Sequence, residues 1–379
     1  MRKKITKRAR RIVVKIGSSV LVGSEHNKES VDGISSAVVA DISRDISLAS
    51  ENGKDIFLVS SGALAMGMKE LSIKLRPTSI PEIQAVSAVG QNALMARYKE
   101  LFATEDRRVA QVLLTHDDLA DRKRFLNARN TLLTLLHMKI LPVINENDTV
   151  AVEEIKFGDN DTLSALVTNL VEADLLIILT DIDGLYDKNP AAHDDAERIA
   201  LVKDVDHLKP YSFGVETSSF GTGGIVSKID AASKAAHFGV ATIVASGFTE
   251  GAITKILAGE DVGTLFLPME DRLTSKKHWI AFSSRPTGRV FLDEGARLAL
   301  LDGGKSLLPT GVSRVDGVFD SGEVIHCVDV NGMELARGIT NYSSSEIDKI
   351  KGKNSSEIET ILGFKVYDEV IHRDNLVLL

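Results

Sequence analysis

One cysteine, Cys327, stands in 379 residues, so no disulfide can form within the chain. That scarcity fits a reducing compartment, and a cytoplasmic protein is expected. The nine histidines show no metal-ligand spacing, and with a lone cysteine a zinc site is not expected. No stretch approaches ~18 consecutive apolar residues, which speaks against a membrane-spanning helix. The start is basic (Arg2, Lys3, Lys4, Lys7, Arg8, Arg10, Arg11), and no apolar run long enough for a secretory leader follows it. It reads as a solvated lead-in to the first strand. Two nucleotide signatures are also missing. Val14 to Ser19 holds a single glycine, so it is no dinucleotide fingerprint. Gly304-Lys305-Ser306 ends like a P-loop, but Ala299 occupies the place of the required glycine. Excess positive charge is absent too: 45 Lys and Arg face 53 Asp and Glu, a net of −8, which does not recommend a nucleic-acid partner.

What is present is a soluble composition, 44% hydrophobic and 26% charged, long enough for two or three domains. Arg11 to Ile16 is short and β-branched, a buried strand. Val31, Ile34, Val38, Ile42 and Ile46 recur at helical spacing up to Asn52-Gly53, a helix stop. Strands are predicted at Asp55 to Ser60, Val109 to Leu114, Ile140 to Ile144, Leu175 to Leu179 and Thr242 to Ala245. Helices are predicted from Pro81 to about Phe102, Phe125 to about Met138, after Asp161, and Ile225 to Phe238, closed by Gly239. Glu153 to Phe157 reads as a hairpin arm. Six strands mostly alternating with helices predict an α/β fold, a three-layer sandwich with a mainly parallel central sheet.

The pattern weakens from Thr264 to Lys277. The expected division is a catalytic domain over 1–267, a linker over 268–284 and a small, mostly-β C-terminal domain over 285–379. In that tail, strands at Gly288–Phe291, Gly311–Val315, Val324–Asp329 and Leu335–Ile339 alternate with Gly, Asn and Asp turns. From Lys276 onward 13 Lys and Arg meet 15 Asp and Glu, a net of −2.

The chemistry concentrates between Leu141 and Leu166. An apolar strand runs into Asn145-Glu146-Asn147-Asp148, and a second polar cluster, Gly158-Asp159-Asn160-Asp161, opens a helix. Singly these are ordinary turn and cap residues. Together, beyond the end of one strand, they point to a polar-ligand site. Lys15 lies one residue before the end of a central strand, where an ammonium is costly unless it meets an anion or snorkels to an edge. Gly221-Thr222-Gly223-Gly224 leads into a helix with Lys228 in its first turns; bare N–H groups and an ammonium there suit phosphates. Ser60-Ser61-Gly62-Ala63 repeats the order of strand, small polar residues, glycine and helix. Two lysines, glycine N–H groups and no histidine or cysteine nucleophile describe phosphoryl transfer by positioning and charge neutralisation.

These motifs, in this order and together with Thr180-Asp181 and Gly184-Leu185-Tyr186, resemble the amino-acid kinase family, and the tail resembles a PUA domain. The resemblance implies ATP-dependent phosphorylation of the γ-carboxylate of L-glutamate, with Mg²⁺ accompanying ATP and no metal-ligating residue assigned. This is the first step of proline synthesis, so proline is implied as an inhibitor and a glutamyl phosphate reductase as a partner. A homo-oligomer is expected. The resemblance implies that Lys15 and Lys228 contact the phosphates, that Asp161 organises them, and that Gly17 and Gly62 offer backbone donors. It places Ser61, Asp148 and Asn160 on glutamate, with Asp148 at the α-ammonium. It places Thr180, Asp181, Thr222, Gly223, Gly224, Ile225, Val226, Ser227 and Lys228 on the nucleotide. Ser18 and Ser60 depart from the family's usual threonine, and Asn189-Pro190 from its Asp-Pro. Two alternatives stand: another amino-acid kinase, acting on N-acetylglutamate or aspartate, or an RNA-binding regulator working through the tail.

Overall fold

A computed structural model describes residues 1–22, 36–151, 160–188, 190, 193–205, 208, 224–269, 277, 280–281, 284–301 and 303–379. The chain forms two compact units, Met1–Arg272 and Leu273–Leu379. The predicted hairpin arm at Glu153 to Phe157 lies outside the described residues.

The first unit begins with α1 (Arg2–Arg8), β1 (Arg11–Ile16), α2 (Ser18–Val22), α3 (Ser36–Glu51) and β2 (Asp55–Ser60). Next come α4 (Ala63–Glu70), α5 (Ile80–Ala103), β3 (Arg108–Leu114), α6 (His116–Ala120), α7 (Arg122–His137), β4 (Ile140–Glu146) and α8 (Asn160–Leu170). It continues with β5 (Leu175–Thr180), β6 (Leu185–Tyr186), β7 (Arg198–Ile199), β8 (Leu201–Val202), α9 (Ile225–His237), β9 (Ala241–Ser246), α10 (Ala252–Ala258) and β10 (Thr264–Phe266).

Eight strands form one sheet in the order β3-β4-β2-β1-β5-β9-β10-β8. From β3 through β9 every neighbour is parallel. Parallel strands carry helices on both faces and read as unbroken apolar runs. Accordingly β5, Leu-Leu-Ile-Ile-Leu-Thr, is buried at all six positions. All six parallel strands end on the same edge of the sheet. Lys15, in the middle of the sheet, pairs in register with Val59 of β2 and Ile178 of β5. The chain runs from β1 to β2 on one side and reaches β5, the neighbour on the other side, only after β4 and α8, the kind of crevice where open α/β sheets hold ligands.

The six predicted strands are all present, but two more extend the sheet. Thr264–Phe266, expected to begin a weakly patterned stretch, is β10, wholly buried and antiparallel to β9; β8 adds parallel to β10. Three-residue strands carry too little pattern to betray a period. The basic start also differs from the solvated lead-in expected of it. It forms helix α1, with Thr6 fully buried. Arg2 donates to the carbonyls of Val262 at 2.5 Å, Ala200 at 2.9 Å and Gly263 at 2.9 Å. Ile5, Thr6 and Ala9 give this charged segment one face to bury.

The second unit is a five-stranded sheet, β12-β11-β13-β14-β15. Its strands are β11 (Gly288–Leu292), β12 (Val312–Gly317), β13 (Val324–Val328), β14 (Glu334–Ile339) and β15 (Leu376–Leu378). Four were predicted; β15 was not. Three short helices, Glu294–Leu301, Ser344–Ile350 and Ile358–Leu362, complete it. Cys327, wholly buried on β13, has its thiol pushed up to about 12 by burial, so it is no nucleophile near neutral pH.

Candidate active site

Helix α8 places the central carboxylate. It is buried along nearly its whole length, and it packs on β1 and α9. Asp161 therefore enters the interior from the first turn, where the helix dipole favours a negative charge. Lys15 meets it from β1, Nζ 2.5 Å from Oδ1. Lys228 meets it from α9, Nζ 3.5 Å from Oδ2. The Ser227 hydroxyl donates to the same Oδ2 at 2.7 Å. Each of the three charged side chains is less than one-tenth exposed. Burial pushes the Asp161 carboxyl up, but the two ammoniums outweigh it and bring it down to about 2. Burial holds the Lys228 ammonium below its ordinary value and Lys15 adds to this, while Asp161 and Asp181 oppose it. One carboxylate between two ammoniums leaves the trio with a net positive charge in a dry setting. Such a group is costly alone and attracts an anion strongly.

A second set of polar groups lies beside the trio. Asn160, adjoining Asp161, donates from Nδ2 to the Ser60 carbonyl at 3.1 Å, to Ser61 Oγ at 3.1 Å and to Asn145 Oδ1 at 2.8 Å. Its own Oδ1 is buried with no hydrogen-bond partner among the described residues. Asp148 is half-buried and hydrogen-bonded to Ser87 of α5; burial pushes its carboxyl up to about 6. Helices α4 and α5 touch backbone to backbone. A Cβ on Gly90 would lie 1.9 Å from the Ala63 carbonyl, and one on Gly67 equally close to that of Val86. This contact ties Ser61 and Gly62, at the start of α4, to the Ser87 and Gln91 face of α5.

The glycines behave differently from one another. Gly62 takes φ 103°, a left-handed conformation natural to glycine. The Gly17 N–H, expected to face a ligand, instead donates to the Leu179 carbonyl at 2.9 Å. β1 and β5 continue their hydrogen bonding one residue past the strand end and engage it. A Cβ at Gly17 would lie in ordinary contact with Lys15 Nζ, 3.9 Å away. On the other flank Thr180, at the end of β5, donates to the exposed Asp181 at 2.9 Å. Gly224, Ile225 and Val226 lead into Ser227 and Lys228 on α9. Thr222 and Gly223, like Gly158 and Asp159, lie outside the described residues. Lys15, Asp161 and Lys228 are thus brought together, with Ser61 and Asn160 joined directly to each other. The sequence reading singled out neither Ser87 nor Gln91. Their signal was faint: polar side chains four residues apart on the buried side of a helix that also carries Leu94 and Tyr98.

An α/β sheet at whose edge one strand and two helices bring two ammoniums around one carboxylate is the framework of a phosphoryl-transfer enzyme, and the chain belongs to the amino acid kinase family, whose profile matches residues 10–246. A PUA domain profile matches residues 288–362. The chain is 53% identical to a glutamate 5-kinase from Geobacter metallireducens over the full length of both. It is 50% identical to that of Geobacter sulfurreducens, again over both whole chains. With a glutamate 5-kinase from Caldanaerobacter subterraneus it shares 48% identity over 97% of this chain and 98% of that one. Among solved structures, carbamate kinase from Giardia lamblia bound to AMP-PNP aligns at a TM-score of 0.50 and 14% identity. That alignment takes in 69% of this chain and all of that one, and speaks to the fold alone.

Proposed function

We propose that the protein transfers the γ-phosphoryl group of ATP to the γ-carboxylate of L-glutamate, the reaction for which its relatives are named. The observation that carries this reading is the Lys15–Asp161–Lys228 trio set beside the Ser61–Asn160 pair, with Asp148 close by in sequence. Lys15 and Lys228 would neutralise the charge that spreads over the transferring phosphoryl oxygens. Asp161, held in turn by the Ser227 hydroxyl, would organise the two lysines. A glutamate side chain ordinarily titrates near about 4.3, so the γ-carboxylate is ionised at neutral pH and can attack phosphorus with no general base. Asp148 would face the α-ammonium, while Ser61 and Asn160 position the rest of the amino acid. Gly62 would lend a backbone donor, and Gly17 leaves room beside the Lys15 ammonium. Thr180, Asp181 and the segment from Thr222 to Lys228 would hold the nucleotide.

Mg²⁺ would arrive with ATP. Asp161 is already matched by two ammoniums, and no cluster of three metal-ligating residues occurs among the described residues. The ion's ligands would then be phosphate oxygens and water. We further place the protein in the cytoplasm at the first step of proline synthesis, as a homo-oligomer inhibited by proline and feeding a glutamyl phosphate reductase. Residues 1–267 would be catalytic and 285–379 the PUA-like part. The product is an acyl phosphate, which hydroxylamine traps as a stable hydroxamate. Incubation with ATP, glutamate and hydroxylamine should yield γ-glutamyl hydroxamate in step with ADP. ADP release without hydroxamate would place the phosphoryl group elsewhere and refute the reading.

A further inference from the structure

The buried amides behind the lysines form a chain whose polarity can be read from its anchors. The Glu146 backbone N–H donates to Asn145 Oδ1 at 2.9 Å, and a backbone N–H can only donate. Asn145 Oδ1 is therefore the acceptor end, and its Nδ2 must point the other way, where Gln91 Oε1 receives it at 2.7 Å. Asn160 Nδ2 donates to that same Asn145 Oδ1 at 2.8 Å and to the Ser60 carbonyl, which can only accept, at 3.1 Å. Both anchors force the Asn160 amide the same way. Its Oδ1 is left over, in a side chain only 3% exposed, with no partner among the described residues. A buried acceptor without a donor is destabilising until a donor arrives.

We infer that Gln91 is a positioning residue for substrate selection: by accepting from Asn145 Nδ2 it helps hold the Asn145 amide, oriented by the Glu146 N–H, against Asn160, so that Asn160 Oδ1 meets the substrate as an acceptor and favours a free α-ammonium. The inference deepens the glutamate reading above and rests on it. Gln91 acts through Asn145 and Asn160 and supplies no charge to the phosphoryl group. Its loss should weaken recognition of the ammonium and leave the chemical step and ATP binding alone. Ser61 Oγ lies 3.1 Å from the same Asn160 Nδ2 and shares that nitrogen's two hydrogens with the Ser60 carbonyl and Asn145 Oδ1.

Glutarate has the two carboxylates of glutamate and no ammonium, so it separates this role from general packing. Three forms of the full-length chain are compared: the parent, Gln91→Met (similar length, no acceptor) and Gln91→Glu (acceptor retained). For each, kcat and KM for L-glutamate and ATP are measured, with the Ki of glutarate as a competitor. Gln91→Met should raise the glutamate KM about tenfold, the scale of one lost hydrogen bond to a charged group. The glutarate Ki, the ATP KM and kcat should stay within about twofold, while Gln91→Glu stays within about threefold of the parent throughout. Equal weakening of glutamate and glutarate, or a Gln91→Glu variant as impaired as Gln91→Met, would overturn the inference. If Gln91→Met does not fold, Gln91→Leu removes the same acceptor and repeats the comparison. A parent that does not phosphorylate glutamate would overturn the underlying reading instead, a result distinguishable from either.

Discussion

In the proposed reaction Lys228 and Asp148 would carry opposite chemical duties, and each has a distinct experimental signature. Removing the ammonium in Lys228→Ala should cost about 10²- to 10³-fold in kcat, as loss of one preorganised charge-stabilising group does. The melting temperature should change little in comparison; near-normal turnover would remove Lys228 from the phosphate role. Asp148 bears on pH. Its carboxyl sits at about 6 in the folded protein, so below that pH it is neutral and has no charge for an ammonium. kcat/KM for glutamate reports the free enzyme and should fall as pH drops through about 6, and Asp148→Asn should flatten that limb while lowering affinity at higher pH. An unchanged acidic limb in the variant would show that another group is titrating. For stability the signs differ. Asp148, raised by burial, binds its proton more tightly folded than unfolded, so its cost to stability grows as pH rises through the carboxylate range to about 6. Asp161, held at about 2, contributes stability above the unfolded carboxylate value and loses it as pH falls toward 2.

The elements that matter most are those that hold side chains without supplying chemistry. α4 and α5 meet through Gly67 and Gly90, a contact that joins the helix following Ser61 and Gly62 to the one carrying Ser87 and Gln91. In Gly90→Ala the new methyl would lie 1.9 Å from the Ala63 carbonyl and 2.2 Å from the Gly67 nitrogen, so the helices must part. A destabilisation of about 1–3 kcal/mol is expected, as overpacking usually costs. The glutamate KM should rise more than the ATP KM. Thermal melting with steady-state kinetics checks both, and an unaltered melting temperature would mean that the helices have room to part. The sequence was legible where physics imposes a repeating pattern. Six parallel strands announced themselves as β-branched and apolar runs, and Lys15 stood out because an ammonium is foreign to such a run. The backbone contact of Gly67 with Gly90 was not legible, since two helical glycines look alike whether they face a neighbour or solvent. Gln91 escaped notice for a related reason: its role depends on Asn145, 54 residues away. That the Gly17 N–H is engaged by the Leu179 carbonyl was not legible either, because the hydrogen bonding of β1 with β5 runs one residue beyond the strand.

At the scale of the whole molecule, the described residues assigned to glutamate, phosphate and nucleotide all come from the first unit. They are spread from Lys15 to Lys228; Lys15, Asp161 and Lys228 meet although far apart in the chain. The motif order along the chain could be read as a family resemblance, while the convergence needed the sheet order β2-β1-β5-β9. The β tail was legible as a separate small sheet from its turn spacing, although its last strand, its three helices and its place in the chemistry were not. The central claim is the choice of substrate by a common phosphoryl-transfer apparatus. It is tested most directly by ADP release from Mg-ATP with L-glutamate, L-aspartate or N-acetyl-L-glutamate, with and without proline. Turnover dependent on L-glutamate and suppressed by proline is the expected result. Turnover on N-acetylglutamate or aspartate in preference to glutamate would contradict the substrate assignment, and no turnover on any of the three would contradict the kinase reading of the Lys15–Asp161–Lys228 trio itself.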